Sequence, residues 1–236
     1  ACVKKLFEHV FEGGGLIRSV FIVALVSIFM PFMAQAQSFP QKQIRLIVPF
    51  APGGSTDIIA RAIADPLGKV LGQPVIVENK AGAGGSIGAL DIMRGSKDGH
   101  VIGMATVSTT ASNPAINKKI GYDPIKDFSP IALSTMNYLV IIGSNTTPFK
   151  TFPEMLAWAK ANPGKLTVAT NGEGGFPNLT FEHLAKAGGI SFTHIPYKGS
   201  AAIVTDLGGG QVMVGIDGIS GPAPHIRSGL IKLLAV

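Results

Sequence analysis

From Ile44 onward, short apolar runs alternate with segments whose apolar residues recur every three to four positions. The runs at 44–49, 75–78, 101–106, 139–142, 166–169, 192–195, 212–216 and 231–236 predict strands. Most are continuous Val, Ile and Leu with no in–out alternation, which suits strands covered on both faces in largely parallel sheets. Between them Ile58, Ile59, Ala62, Ile63, Leu67, Val70 and Leu71 fall at helical spacing, with Pro66 expected to kink or break the helix. Residues 152–161 predict a second helix, ended by Asn162-Pro163-Gly164, and 179–187 a third. Strands alternating with helices predict an α/β fold. Residues 113–130, rich in Asn, Pro, Lys and Asp, interrupt the rhythm where a first α/β lobe (37–138) would hand over to a second (139–236). The chain stops on Leu233-Leu234-Ala235-Val236, inside what reads as a buried strand, so a C-terminal truncation that leaves the first lobe incomplete is expected.

The start of the chain changes the picture. Lys4, Lys5 and Arg18 precede an apolar stretch at 20–32, and Ala34-Gln35-Ala36 follows as a small-x-small site. Basic region, short apolar region and A-x-A together predict a secretory signal peptide over residues 1–36, cleaved after Ala36. The stretch is too short to cross a hydrocarbon core of about 30 Å. Residues before Arg18 look like an extended start, since the chain opens on Ala1. The single cysteine, Cys2, lies in the part to be removed, so the mature protein would have no disulfide, thiolate metal site or cysteine nucleophile. A periplasmic location is the expectation.

Composition narrows the function classes. Hydrophobic residues make up 46%, too many for a disordered chain. The formal net charge is +6, of which the first 36 residues contribute +1, leaving +5 spread without a run of Lys and Arg. Nucleic-acid binding would want a basic stripe, so none is expected.

Three glycine-rich loops carry the candidate chemistry. Pro49-Phe50-Ala51-Pro52-Gly53-Gly54-Ser55-Thr56-Asp57 follows a strand and opens a helix. Unpaired N–H groups and the positive end of the dipole make such a start an anion site. Equally, Ser55, Thr56 or Asp57 could simply cap the helix. With no Gly-Lys-Ser/Thr, it is not a nucleoside-triphosphate loop. The second loop, Asn79-Lys80-Ala81-Gly82-Ala83-Gly84-Gly85-Ser86-Ile87-Gly88, contains G-x-S-x-G, the esterase elbow. That elbow needs a strand running straight into the serine, whereas here glycines separate Glu78 from Ser86. A loop entering a helix is the preferred reading and a hydrolase using Ser86 the minor one. Thr170-Asn171-Gly172-Glu173-Gly174-Gly175 is a third strand-to-helix loop, which could face the first and hold a carboxylate between opposed donors, or could be an ordinary βα turn. His9, His100, His183, His194 and His225 show no metal-ligand spacing, and no metal or cofactor is expected.

In order and spacing, Pro49–Asp57, Gly72-Gln73-Pro74-Val75-Ile76-Val77-Glu78-Asn79-Lys80 with the glycines after it, Tyr122-Asp123-Pro124 with Asp127-Phe128-Ser129-Pro130, His194-Ile195-Pro196-Tyr197-Lys198-Gly199-Ser200 and Gly209-Gly210-Gln211-Val212 resemble the Bug family. These are the extracytoplasmic receptors of tripartite tricarboxylate transporters. The resemblance implies a periplasmic-binding-protein (Venus flytrap) fold, two α/β lobes around a cleft; from the missing metal, thiol and triad patterns no enzymatic activity is expected, and a monomer is. It implies a small carboxylate ligand (a di- or tricarboxylate, an amino acid or an aromatic acid), delivered to the membrane permease subunits of the transporter. A ligand sensor for a signalling system is the alternative. Carried over by position, the ligand-binding residues are Gly53, Gly54, Ser55, Thr56 and Asp57, then Ser108 and Thr109, then Asn171, Gly172 and Gly175. Tyr197, Lys198, Gly199, Ser200 and Asp217 complete the set. Met213, Asn178 and Phe176-Pro177 depart from the family pattern, so the resemblance does not carry over a ligand.

Overall fold

Two sheets organise residues 39–236, the part described by the computed structural model; the expected signal peptide lies outside these residues. The first sheet holds β1 (Ile44–Val48), β2 (Val75–Asn79) and β3 (Val101–Gly103), all parallel, in the order β2-β1-β3. Helix α1 (Ser55–Leu71) connects β1 to β2, and α2 (Ser86–Arg94) connects β2 to β3. The second sheet has the order β6-β5-β7-β4-β8, built from β4 (Leu139–Ser144), β5 (Leu166–Thr170), β6 (Phe192–Pro196), β7 (Val214–Gly218) and β8 (Ile231–Ala235). β5 runs parallel to β6 and β7, whereas β4 is antiparallel to both β7 and β8. Between the sheets lie a π-helical turn at Ser108–Ser112 and the short α3 (Asn113–Ile116). The remaining helices are α4 (Phe152–Ala161), α5 (Phe176–Gly188), α6 (Ser200–Gly208) and α7 (Ala223–Arg227). Lys42–Val236 hold together as a single unit.

The second sheet is covered on both faces, and β4 shows how its sequence achieves this. Successive side chains point to opposite faces. Ile141 packs with Val168, Val214 and Ile216 against Met155 and Ala159 of α4 and Phe181 and Ala185 of α5. Its neighbours Val140 and Ile142 join Ala169 on the other face, against Ile203, Val204 and Leu207 of α6. Continuous apolar strands follow from this two-sided burial. In the first sheet Leu46 and Val48 pack on Ala60 and Ala64 of α1.

Several boundaries move from their expected places. β3 ends at Gly103, because after Met104 N–H donates to the Ile47 carbonyl the chain turns into the Thr106–Thr109 hydrogen bonds. β7 starts at Val214, since Met213 N–H donates to the Thr167 hydroxyl, not to a strand carbonyl. Helix α1 runs unbroken through Pro66, which faces solvent, so the carbonyl it deprives of a partner can reach water. Helix α5 starts at Phe176, three residues early, because Pro177 sits in its first turn, where a missing N–H costs nothing.

Helix α4 begins with a reciprocal cap. Thr151 accepts from Glu154 N–H at 3.4 Å, and the Glu154 carboxylate accepts from Lys150 N–H at 2.7 Å. Thr151→Ala is expected to cost about 1 kcal/mol. Thermal unfolding followed by circular dichroism should show a fall of about 2–4 °C.

Candidate functional site

The loop between β1 and α1 is braced from within by Asp57, which is 3% exposed. Its carboxylate accepts from Gly53 N–H (2.9 Å), Arg61 Nε (2.9 Å) and Asn79 Nδ2 (2.8 Å), and Asn79 also donates to the Phe50 carbonyl. Burial alone would raise its pKa, but the hydrogen bonds from Arg61, Gly53 and Asn79 hold it below the ordinary value. Gly53 takes φ +78°, a left-handed conformation suited to glycine. Gly54 caps α1 without a side-chain hydrogen bond, leaving the first N–H groups of the helix for another partner. Ser55 does not cap. Its hydroxyl donates to the Gly218 carbonyl (2.7 Å) and accepts from Gly221 N–H (2.9 Å), tying α1 to the segment that follows β7. Thr56 is half-buried in the first turn.

The start of α6 lies directly against this loop. Ala51 N–H donates to the Lys198 carbonyl at 3.2 Å. A Cβ on Gly199 would stand 2.8 Å from that of Ala51, and one on Gly54 would stand 3.0 Å from Ser200 Oγ. Ser200 is buried at the first position of α6, and Gly199 caps the helix without a side-chain bond. The Tyr197 hydroxyl turns away and donates to Asp206 at 2.5 Å; burial and that carboxylate push its pKa up to about 12.

Asp217, near the end of β7, is 2% exposed. Its Oδ1 accepts from Asn171 Nδ2 (2.6 Å) and from Gly218 N–H (2.8 Å). Its partners are neutral, and burial pushes its pKa up against the Ser200, Gly218 and Asn171 contacts that favour the anion. Asn171 opens the third glycine loop. Gly172, at φ +115°, comes so near Gly84 that a Cβ would be 3.0 Å from Gly84 N. Gly175 caps α5 without a side chain of its own; instead the Ser108 hydroxyl accepts from Phe176 N–H at 2.9 Å, 68 residues away in sequence.

The expected residues therefore fall into separate groups. Gly53, Gly54, Ser55, Thr56, Lys198, Gly199 and Ser200 lie at the adjoining starts of α1 and α6, Asn171 and Asp217 bond each other, and Ser108, Gly172 and Gly175 pack together at the start of α5. Asp57, Thr109 and Tyr197 spend their polar side-chain atoms on partners within the fold: Asp57 on Gly53, Arg61 and Asn79, Thr109 Oγ1 on Thr106, and Tyr197 on Asp206. Sequence reasoning missed Asn113, which donates to the Gly84 carbonyl and to Ser86 Oγ, both at 2.9 Å, and also Gly218 and Gly221. Ser86 follows a 3₁₀ turn at Ala83–Gly85, not a strand, and its hydroxyl bonds to the Asn113 amide and the Tyr122 hydroxyl. An open groove of about 690 Å³ beside the C-terminal half of α1, lined by Ala64, Gly68, Val75 and Val77 among others, includes none of the glycine-loop residues. Among the described residues, no group of His, Cys, Asp and Glu is arranged to hold a metal, and no helix is long and apolar enough to cross a membrane.

Two mixed α/β halves meeting at glycine-capped helix starts define the fold of periplasmic binding proteins. The model of the tripartite tricarboxylate transporter family receptor matches residues 59–236, and the chain belongs to that family. A UPF0065 protein from the gbd 5' region of Cupriavidus necator is 40% identical over 229 residues, covering 97% of this chain and 68% of that protein. Two solved structures align closely. R. palustris Rpa4515 with adipate has 30% identity and a TM-score of 0.81, covering 84% of this chain and 66% of that one. MatC from Rhodopseudomonas palustris with bound malate has 32% identity and a TM-score of 0.78, covering 83% and 66%. The chain thus spans just under two thirds of the length of those solved proteins.

Proposed function

We propose that the protein is a periplasmic receptor that closes on a small carboxylate and presents it to a membrane permease, with no chemistry on the ligand. The observation that carries this reading is the meeting of two helix starts, those of α1 and α6, each capped by a glycine with no side-chain hydrogen bond of its own. Unpaired N–H groups at the positive ends of helix dipoles favour an anion, and they take its carboxylate without any cationic side chain. Gly53, Gly54, Ser55, Thr56, Gly199 and Ser200 form this grip. Relatives of the same fold solved with adipate and with malate support a dicarboxylate. Closure of two lobes over the ligand is the conformational signal a permease would read.

Thermal unfolding against a panel of di- and tricarboxylates, amino acids and aromatic acids tests the reading. A matching acid at about 100 times its Kd stabilises by about 2.7 kcal/mol, and the melting temperature should rise by about 5 °C or more. No rise with any acid would sink the proposal.

A further inference from the structure

We infer that Asn79 is a positioning residue for the α1 grip, and that its side chain must be a neutral amide for the loop to present its N–H groups to an anion. This rests on the carboxylate-receptor reading above. Asn79 is the last residue of β2, and the parallel register sets it opposite Val48, the last residue of β1. The loop that leaves β1 for α1 therefore starts beside it. Asn79 Nδ2 donates to the Phe50 carbonyl at 3.0 Å and to Asp57 Oδ1 at 2.8 Å, so both of its protons are in use. Its Oδ1 accepts from Arg61 at 3.1 Å, which fixes the way the amide faces. One side chain thus ties both ends of the loop: Phe50 directly, and Gly53 through Asp57, whose Oδ2 accepts from Gly53 N–H.

The three partners single out an amide. Alanine supplies neither donor. An ionised aspartate has the right shape but offers only acceptors, one toward the Phe50 carbonyl and one toward the Asp57 carboxylate. Two carboxylates at that distance do not both ionise readily, so one of them keeps its proton to a higher pH than an ordinary carboxylate. Arg61 on α1 is the cation that faces the pair. Along β2, Glu78 is taken by Arg45, and Lys80 acts on Glu78.

Isothermal titration of wild type, Asn79→Ala and Asn79→Asp with succinate, malate, adipate, citrate and aspartate at pH 5 and pH 8 tests this. The ratio of variant to wild-type Kd at each pH cancels the titration of the acid itself. Asn79→Ala should weaken binding about tenfold at both pH values, since it loses two donors whatever the pH. Asn79→Asp should weaken it about tenfold at pH 8 but about threefold or less at pH 5, where a shared proton restores one donor. Circular dichroism and thermal unfolding confirm that each variant is folded at the titration temperature; should one fail to fold, the other still decides. A merely structural asparagine would lower the melting temperature and leave the Kd ratios near one, and that result overturns the inference while leaving the receptor reading intact. An Asn79→Asp ratio that does not change with pH overturns it as well. A wild type that binds none of the five acids removes the receptor reading and this inference with it.

Discussion

Replacing Asp57 with alanine is expected to lower the melting temperature by about 6–12 °C at pH 7. The substitution strips partners from Gly53 N–H, from Asn79 and from the inner face of Arg61, around a site that is almost fully buried. Losing charge-assisted hydrogen bonds at a buried carboxylate costs about 3 kcal/mol, and each kcal/mol is worth about 2–4 °C in a chain of this size. The Arg61 ion pair contributes little to this figure, since the Arg61 side chain is 53% exposed. The loop it braces also carries the α1 grip, so ligand affinity should fall together with stability. The pH dependence has a definite sign. Asp57 has a pKa below its ordinary value when folded, so its contribution is complete above that ordinary value and fades as pH drops through the folded one. The gap in melting temperature between wild type and variant should therefore narrow from pH 7 to pH 3. A constant gap would mean that the carboxylate charge is not what holds the loop.

Ser55→Ala is the second large effect. One hydroxyl serves the Gly218 carbonyl and Gly221 N–H at 2.7 and 2.9 Å, and its removal leaves two buried backbone groups without a partner. A cost of about 2–3 kcal/mol follows. Because the bond spans two halves of the molecule, the substitution should loosen closure as well as the fold. Affinity for the preferred acid should drop about tenfold even when measured well below the melting transition. Differential scanning calorimetry and titration together check this; a loss of stability with unchanged affinity would confine Ser55 to a packing role.

Much of the fold could be read from the chain because its signals are local. The apolar run of β1 followed by Pro52-Gly53-Gly54 marks a strand, a turn and a helix start within a dozen residues, and the α4 cap is contained between Lys150 and Glu154. Helix α6 was harder to see, since only Ile203, Val204 and Leu207 mark its buried face and glycines bound it on both sides. The site was legible as a set of loops but not as a set of roles. Ser55 reads as a cap, yet its partners lie more than 160 residues downstream, and Ser108 caps a helix that starts at Phe176. Whether Asp217 meets solvent, a cation or an amide depends on the packing of β5 beside β7, and nothing around either strand in the sequence specifies it.

The antiparallel β4 has a consequence for the order in which the molecule assembles. Its neighbours are β7 and β8, so Ile141 pairs with Ile216 and with Ala235, whereas β1, β2 and β3 come from a single stretch ending at Gly103. As the chain leaves the ribosome, β1, β2 and β3 can pair with one another long before β4 has a partner. Closing so distant a pairing is slow, because the intervening loop must be ordered before the contact is made. Refolding from denaturant should accordingly be paced by the second sheet, with the β1–β3 amides gaining hydrogen-exchange protection first and those of β4 last.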